Sequence, residues 1–358
     1  MADVREPRTV VVDDSRFMRG LITDLLDEGG VPVVGEAANG REAIEVVRRE
    51  QPDVVTMDVQ MPEMDGIEAL ERIMDDQPTP VLMLSAYTDD GAEVTFEALE
   101  KGAVDFFAKP GGEVSMGVSR QSEQLVETVR TVAEADLDRT GRSDNGSRAK
   151  PRSDRAQQPI GRLDDPFEEP HTLVIGSSTG GPNAVEEVMN GLPGGDCRVL
   201  IVQHMPEAFT ERFADRLDAA SEYDVAEARD GARIGAGEAL VARGGSHMEV
   251  SNYNRGRLRV ELDETDRGHS TRPAVDVTMA SVAETVTDPI VGVILTGMGA
   301  DGAEGICAID RAGGRTIAQD EETSVIYGMP KRAAETGCVG TVCGLSDVAG
   351  AIVESDTE

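Results

Sequence analysis

Residues 172–189 read TLVIGSSTGGPNAVEEVM. An apolar run of strand length passes through a glycine-rich turn into a helical pattern, with Pro182 at the first turn, where its missing N–H costs nothing. Strand, tight turn and helix in that order make an α/β unit. Gly176, Ser178 and Gly180 also satisfy G-x-S-x-G, in which flanking glycines allow a sharp turn that exposes a serine hydroxyl. A phosphate-cradling loop at a helix N-terminus needs the same glycines, but neither G-x-G-x-x-G nor G-x-x-x-x-G-K-[ST] is present here.

A serine nucleophile needs a base, and the chain has four histidines: His171, His204, His247 and His269. His204 closes the apolar run RVLIVQHMP at 198–206, and Asp301 follows another in PIVGVILTGMGADG at 289–302. Ligands of open parallel sheets bind outside the carboxyl ends of the strands, so Ser178, His204 and Asp301 are expected at one sheet edge. Their chain order matches none of the α/β-hydrolase, chymotrypsin or subtilisin orders. Ser177 is the competing hydroxyl, and the centre of the motif favours Ser178.

The same pattern occupies the N-terminal third. Strand-like runs at 9–12, 31–36, 53–57, 80–84 and 103–108 alternate with helical stretches, which predicts a five-stranded parallel sheet. Four runs end in polar residues: Asp13 and Asp14, Asp58, Ser85, and Lys109 before Pro110. Three crowded carboxylates repel one another unless a cation lies among them, and an oxygen donor set with open positions suits Mg²⁺. A carboxylate there, with an ammonium and a hydroxyl beside it, can attack a phosphoryl donor and hold an aspartyl-phosphate, with Asp58 as nucleophile. Lysine supplies a compact charge at such a site, and the chain has only four of them.

At 358 residues the chain has room for two or three domains. Its net charge of -34 repels nucleic acid and anionic lipid, and an acidic, arginine-over-lysine composition fits a salt-adapted surface. The start is unlike a signal peptide, and no run reaches the ~18 apolar residues of a membrane span, so direct membrane insertion is not expected. Cys197, Cys307, Cys338 and Cys343 show no CxxC spacing and read as small thiols in a reducing cytoplasm. Residues 138–170 are rich in Arg, Ser, Gly and Pro and cannot bury enough apolar area to order themselves. This connector is only weakly charged overall, yet 139–162 carries seven bases against two acids, the pattern of a solvated tether or of an electrostatic staple.

VVVDDS, TMDVQMPEMDG, LSAYT and DFFAKP resemble the response-regulator receiver family. IGSSTGGP, QHMPEAFTERFADRL, HMEV, RPAVDV, ILTGMGADG and GMP resemble the catalytic domain of the chemotaxis protein-glutamate methylesterase (CheB) family. The resemblance implies a flavodoxin-like receiver at 8–125, a linker at 126–170 that is flexible from about 138, and a doubly wound, mostly parallel α/β catalytic domain with a β-hairpin at 171–355. It assigns Asp13, Asp14, Asp58 and the Gln60 carbonyl to Mg²⁺, phosphate contacts to Ser85 and Lys109, and a switch role to Phe106. The implied substrates are γ-glutamyl methyl esters on methyl-accepting chemotaxis receptors, with deamidation of receptor glutamines alongside, and the implied phosphodonor is a chemotaxis histidine kinase. The resemblance implies no cofactor for the esterase reaction itself. Backbone N–H groups of Thr179 and Met298 are candidates for the oxyanion, Arg272 and His247 for substrate contact, and His171 and His269 read as surface residues.

Joined in this order, the two halves imply an esterase that a phosphate on Asp58 activates, the unphosphorylated receiver covering the Ser178 edge. The alternatives are a phosphorylation-dependent scaffold that performs no chemistry, a nucleotide site in the glycine turn, and, least in keeping with the charge, DNA-binding output.

Overall fold

The computed structural model describes residues 5–85, 89–109, 117–135, 137, 170–265, 267–269 and 271–354. Pro110, residues 138–169 of the expected connector with its basic stretch, and residue 355 lie outside them. The chain divides into two compact units, Met1–Leu137 and Asp138–Glu358.

In the first unit, strands β1 (Thr9–Val12), β2 (Val33–Ala37), β3 (Val54–Asp58), β4 (Val81–Ser85) and β5 (Asp105–Ala108) alternate with helices α1 (Arg16–Glu28), α2 (Gly40–Glu50), α3 (Gly66–Asp76), α4 (Asp89–Glu100) and α5 (Gly117–Ala133). The sheet order is β2-β1-β3-β4-β5, parallel throughout, so strand order reverses between β1 and β3. That reversal opens a crevice at the ends carrying Asp13 and Asp58. Two strands start later than their apolar runs because prolines donate nothing to a ladder. Pro32 and Pro80 serve only as acceptors, from Thr9 N at 2.9 Å and Val55 N at 2.9 Å. Ser15, Asn39 and Asp65 cap α1, α2 and α3 by accepting backbone N–H bonds. Helix α5 runs past residue 125 to Ala133, with Val126, Val129 and Val132 buried, so those turns are core and not linker.

The second unit begins with β6 (His171–Ser177), α6 (Gly181–Gly191), β7 (Cys197–Gln203), α7 (Glu207–Ala220), β8 (Asp224–Glu227), β9 (Arg233–Ile234) and β10 (Glu238–Val241). It continues with β11 (His247–Asn254), β12 (Arg257–Asp263), α8 (Val275–Thr285), β13 (Ile290–Ile294), α9 (Ala303–Arg311), β14 (Arg315–Gln319), α10 (Met329–Glu335), β15 (Thr341–Cys343) and α11 (Leu345–Val353). Seven strands form a parallel sheet in the order β15-β14-β13-β6-β7-β10-β8, reversing between β6 and β13. The hairpin turns at Arg255 and Gly256, and β11 and β12 join β9 in a separate three-stranded antiparallel sheet. Val250, Leu258 and Val260 of that small sheet share a core with Leu200 and Val202 of the main sheet and with Val275, Met279 and Val282 of α8. Burying eight such side chains contributes on the order of 10–20 kcal/mol before conformational entropy is counted.

One expectation is overturned. Cys307 on α9 and Cys338 just after α10 form a disulfide, their Cα atoms 5.1 Å apart. Sequence spacing concealed the pair because its two members, 31 residues apart, meet only when α9 and α10 pack together. Cys197 is a buried free thiol as expected, pushed up to about 12 by burial, and Cys343 is free and half-buried.

Among the described residues no helix is long and apolar enough to cross a membrane.

Candidate active site

Ser178 follows β6 at the turn into α6. Its N–H donates to Thr296 O at 3.0 Å and its carbonyl accepts from Gly181 N at 2.7 Å, so hydrogen bonds on both sides hold the turn. Gly180 has φ +76°, and a Cβ there would come within 2.7 Å of Val325, so both backbone and space require glycine. Ser177 pairs with Gln203 in the β6–β7 register, which makes Ser178 and His204 the next residues on adjacent parallel strands. His204 N donates to Ser177 O at 3.1 Å. On the other flank Ile294 of β13 pairs with Gly176, and Asp301 lies in the loop beyond.

His204 Nε2 lies 2.7 Å from Asp301 Oδ2. The carboxylate also accepts N–H bonds from Val275 (2.7 Å), Asp276 (3.0 Å) and Gly302 (3.0 Å). Ala274 provides no side-chain cap for α8, and Asp301 does so from a distant loop. Burial works to raise the Asp301 pKa, but the hydrogen bond and charge of His204 and the backbone donors outweigh it and take the group down to about 2. An ionised Asp301 only accepts, so Nε2 carries the proton and Nδ1 keeps the lone pair a base requires. Thr271 Oγ1 also approaches Nε2, at 3.2 Å. Among the described residues the Ser178 hydroxyl makes no side-chain hydrogen bond; in ligand-free sites that contact often closes only on the substrate complex.

The two adjacent serines differ. Ser177 is fully buried and its Oγ donates to Gln203 Oε1 at 2.6 Å, whereas Ser178 is half-buried. Gln203 Nε2 donates to the carbonyls of Ser178 (2.9 Å) and His204 (3.1 Å), bracing the two strand ends against each other. Thr296 Oγ1 donates to Thr179 O at 2.9 Å and accepts from Ile326 N at 3.0 Å. Among the described residues the Thr179 N–H has no acceptor, which leaves it available to an oxyanion. Met298 is half-buried in the loop beside Gly297, whose carbonyl accepts from Gly328 N and Met329 N.

Sequence reasoning missed Gln203, Thr271 and Asp276. Asp276 Oδ1 accepts from Gly305 N at 2.6 Å in the first turn of α9, so Asp301 caps the helix that carries Asp276, and Asp276 caps the helix that follows Asp301. Burial, followed by the nearby Asp301 charge, pushes Asp276 up to about 6 even though its Gly305 bond pulls the other way. His269 is half-buried and not a free surface residue: its ring lies edge-on to His247, centroids 5.8 Å apart, and its ligand atoms come within 4.8 Å of those of Asp276 and Asp301. Four donors already occupy Asp301, so this cluster is a hydrogen-bond network and not a metal cradle. His247 is buried, neither nitrogen has a hydrogen-bond partner among the described residues, and burial lowers its pKa. Arg272 is exposed and donates to Glu264 O, and His171, opening β6, is half-buried.

In the first unit, Lys109 Nζ bridges Asp13 Oδ2 at 2.8 Å and Asp58 Oδ1 at 2.7 Å. Asp13, Asp14 and Asp58 place ligand atoms within 4.8 Å of one another. Burial, then the Asp13 charge, raises the Asp58 pKa against the lowering pull of Lys109; Lys109 is raised because its bonds to both carboxylates outweigh burial. Asp13 Oδ2 is buried with the Lys109 ammonium as its counter-charge, so three clustered carboxylates share one lysine and keep a net negative charge that a hard cation would offset. The residues present therefore fit Mg²⁺. Gly66 sits where a Cβ would come 2.0 Å from the Asp58 backbone carbonyl oxygen, so the chain passes tightly against the end of β3. Gln60 is exposed and its N–H reaches Asp58 Oδ1 at 3.4 Å; Lys109 N donates to Ser85 O at 2.8 Å. Phe106 is buried edge-on to Phe96, 6.2 Å between centroids.

The chain matches the CheB methylesterase family over residues 173–352 and the response regulator receiver domain over residues 9–116. It is 58% identical over 360 residues to a Haloarcula marismortui protein named protein-glutamate methylesterase/protein-glutamine glutaminase, covering 98% of each chain. A Halobacterium salinarum protein of the same name is 56% identical over 347 residues, covering 97% of each. The solved CheB methylesterase catalytic domain of Thermotoga maritima is 38% identical, with a TM-score of 0.49, over 51% of this chain and 96% of that one. With a parallel five-stranded unit before a parallel α/β unit, and matches running nearly end to end, the chain belongs to the receiver-containing CheB methylesterase family.

Proposed function

We propose that the second unit hydrolyses γ-glutamyl methyl esters on methyl-accepting chemotaxis receptors, and deamidates receptor glutamines, in the cytoplasm. The 2.7 Å His204–Asp301 pair at the strand end beside Ser178 carries the reading. Ser178 Oγ attacks the ester carbonyl as His204 Nδ1 takes its proton, and the oxyanion forms within reach of the Thr179 and Met298 N–H groups. The tetrahedral adduct collapses, methanol leaves with the proton from His204, and an acyl-serine remains. Water, deprotonated by the same nitrogen, attacks that ester and releases the glutamate carboxylate and free Ser178. Asp301 keeps the imidazole in its Nε2–H tautomer and offsets the charge of the imidazolium; Gln203 and Thr271 are positioning residues.

Asp58 is the phosphorylation site, a chemotaxis histidine kinase the phosphodonor, and the aspartyl-phosphate raises the esterase rate. Asp13, Asp14, Asp58 and the Gln60 carbonyl would hold Mg²⁺, which when bound screens the negative charge of the incoming phosphoryl group. Ser85 and Lys109 contact that group, and Phe106 responds to it. Incubating the protein with methyl-labelled receptor, with and without a phosphodonor, tests the whole reading: methanol release that rises with the donor supports it, and no release in either condition rejects it. An organophosphonate that fails to mark Ser178 would favour a scaffold without chemistry.

A further inference from the structure

The small β11-β12-β9 sheet concentrates positive charge in a unit that is otherwise strongly acidic. Arg257 and Arg259 stand two residues apart on β12 and share its outer face, while Leu258 and Val260 between and beyond them are buried in the core. In register, Arg259 lies opposite Arg233 of β9, and Arg255 occupies the hairpin turn. All four are exposed, and they line a groove of about 680 Å³ whose wall includes Asn252 and a single acid, Glu261.

Like charges directly opposite on antiparallel strands destabilise a sheet. The available compensation is slight. Arg257 meets Glu238 at 3.1 Å and Arg259 meets Glu261 at 3.7 Å, exposed pairs of the kind that contribute little. Arg233 and Arg255 form no ion pair among the described residues. A local arrangement that costs stability, in a chain with 68 acids from which to choose partners, marks a surface kept for something outside the chain.

Its spacing indicates what. Arg257 and Arg259 are roughly 7 Å apart along the strand and Arg259 and Arg233 roughly 5 Å apart across it. Side chains at i and i+3 or i+4 on a helix are separated by about 5–6 Å, so glutamates on one helix face match these guanidinium groups pair by pair. β11 connects the groove to the active site: it begins at His247, whose ring lies against His269 beside Asp301, and reaches the groove four residues later at Ser251. At about 3.4 Å per strand residue the groove starts roughly 14 Å from His247, so along a helix rising 1.5 Å per residue its acids would lie on the order of 10–20 residues from the processed glutamyl group.

We infer that this arginine face docks an acidic stretch of the receptor helix that presents the methyl ester. The inference rests on the esterase reading above. Nucleic acid is a poor occupant, because the rest of the unit repels phosphate. In molar salt, with a Debye length of about 3 Å, only direct carboxylate–guanidinium pairs persist, so the face supplies contact affinity and not long-range steering.

The test uses the full-length protein and its Arg233→Gln/Arg257→Gln/Arg259→Gln variant. The first arm is the Kd for a purified, unmethylated cytoplasmic receptor fragment; the second is kcat/KM on a short peptide bearing one γ-methyl ester. The inference expects Kd to weaken about tenfold or more while short-peptide turnover stays within about twofold. An unchanged Kd overturns it, as does a DNA duplex that competes for the wild-type face and not for the variant. Wild-type failure on the short peptide removes the esterase reading and leaves the binding arm to be read by itself. Should the triple variant lose its fold, Arg259→Gln and the charge-preserving triple Arg→Lys replace it, and the first must weaken Kd more than the second.

Discussion

Ser177 Oγ donates to Gln203 Oε1 at 2.6 Å, and through the amide of that glutamine holds the backbone of its neighbour, the half-buried Ser178. The two hydroxyls, indistinguishable by composition, thus have opposite fates: one is consumed in bracing the strand ends and the other is presented to the crevice. Ser177→Ala leaves a buried amide oxygen unpaired, and is expected to lower stability by about 1–3 kcal/mol while reducing kcat less than about tenfold. Ser178→Ala should leave stability nearly unchanged and cut kcat by about three to six orders of magnitude. Urea unfolding and ester turnover on both variants decide it; the reverse pattern would exchange the roles.

The carboxyl pair at the α8 and α9 starts gives a pH signature of opposite signs. Asp301, taken down to about 2, contributes stability that is present above about pH 4 and disappears as pH falls through 2. Asp276, raised to about 6, imposes a cost above pH 6 that is relieved as pH falls toward 4. At 1.36 kcal/mol per pKa unit each effect is at most about 2–3 kcal/mol. The wild type minus Asp276→Asn difference in unfolding free energy should therefore become more favourable between pH 6 and pH 4. The wild type minus Asp301→Asn difference should instead hold above pH 4 and shrink as pH falls from about 4 through 2. Measuring differences cancels the general relief of charge repulsion on acidification; a flat Asp276→Asn difference across pH 4–6 would refute the pairing.

How much of this was legible in the sequence depended on how far apart in the chain the cause of each feature lies. Ser178, His204 and Asp301 could be found because each stands just past an apolar run, and the switch-point rule brings such residues together without knowledge of packing. Asp13, Asp58 and Lys109 were found in the same way. Gln203 could not be: its task arises from being registered opposite Ser177, and a one-residue slip would have removed it. Asp276 and Thr271 act from loops and helix starts whose approach to Asp301 and His204 is tertiary. Helix α5 extends past the expected boundary at residue 125, and the burial of Val126, Val129 and Val132 depends on tertiary packing.

The Cys307–Cys338 disulfide escaped notice for a related reason, and it carries its own prediction. A cross-link closing a loop of 31 residues restricts the unfolded chain and is expected to stabilise the second unit by about 3–4 kcal/mol on the chain-entropy account. Wild type with a dithiol reductant, and Cys338→Ser without one, should show the same loss in urea unfolding, and the variant should ignore the reductant. If reductant leaves the wild-type midpoint unchanged, the bond does not hold α9 to the segment after α10 in solution.

Lys109 neutralises two carboxylates that are nearly inaccessible to water, and its removal should expose the need for a cation. With Lys109→Ala, Asp13 and Asp58 face each other unpaired, a loss on the order of 3–5 kcal/mol at neutral pH. Because burial and the Asp13 charge already raise Asp58, the variant should recover stability on acidification as Asp58 protonates. Mg²⁺ should recover it as well: a ligand that binds only the folded state stabilises in proportion to its affinity, and the variant cluster carries one more net negative charge. Thermal unfolding of the first-unit transition, with and without Mg²⁺, should thus show a larger shift for Lys109→Ala than for wild type, while Asp58→Asn shows a smaller one. Equal shifts in all three would mean that the ion binds elsewhere, and that the three aspartates gather around the lysine alone.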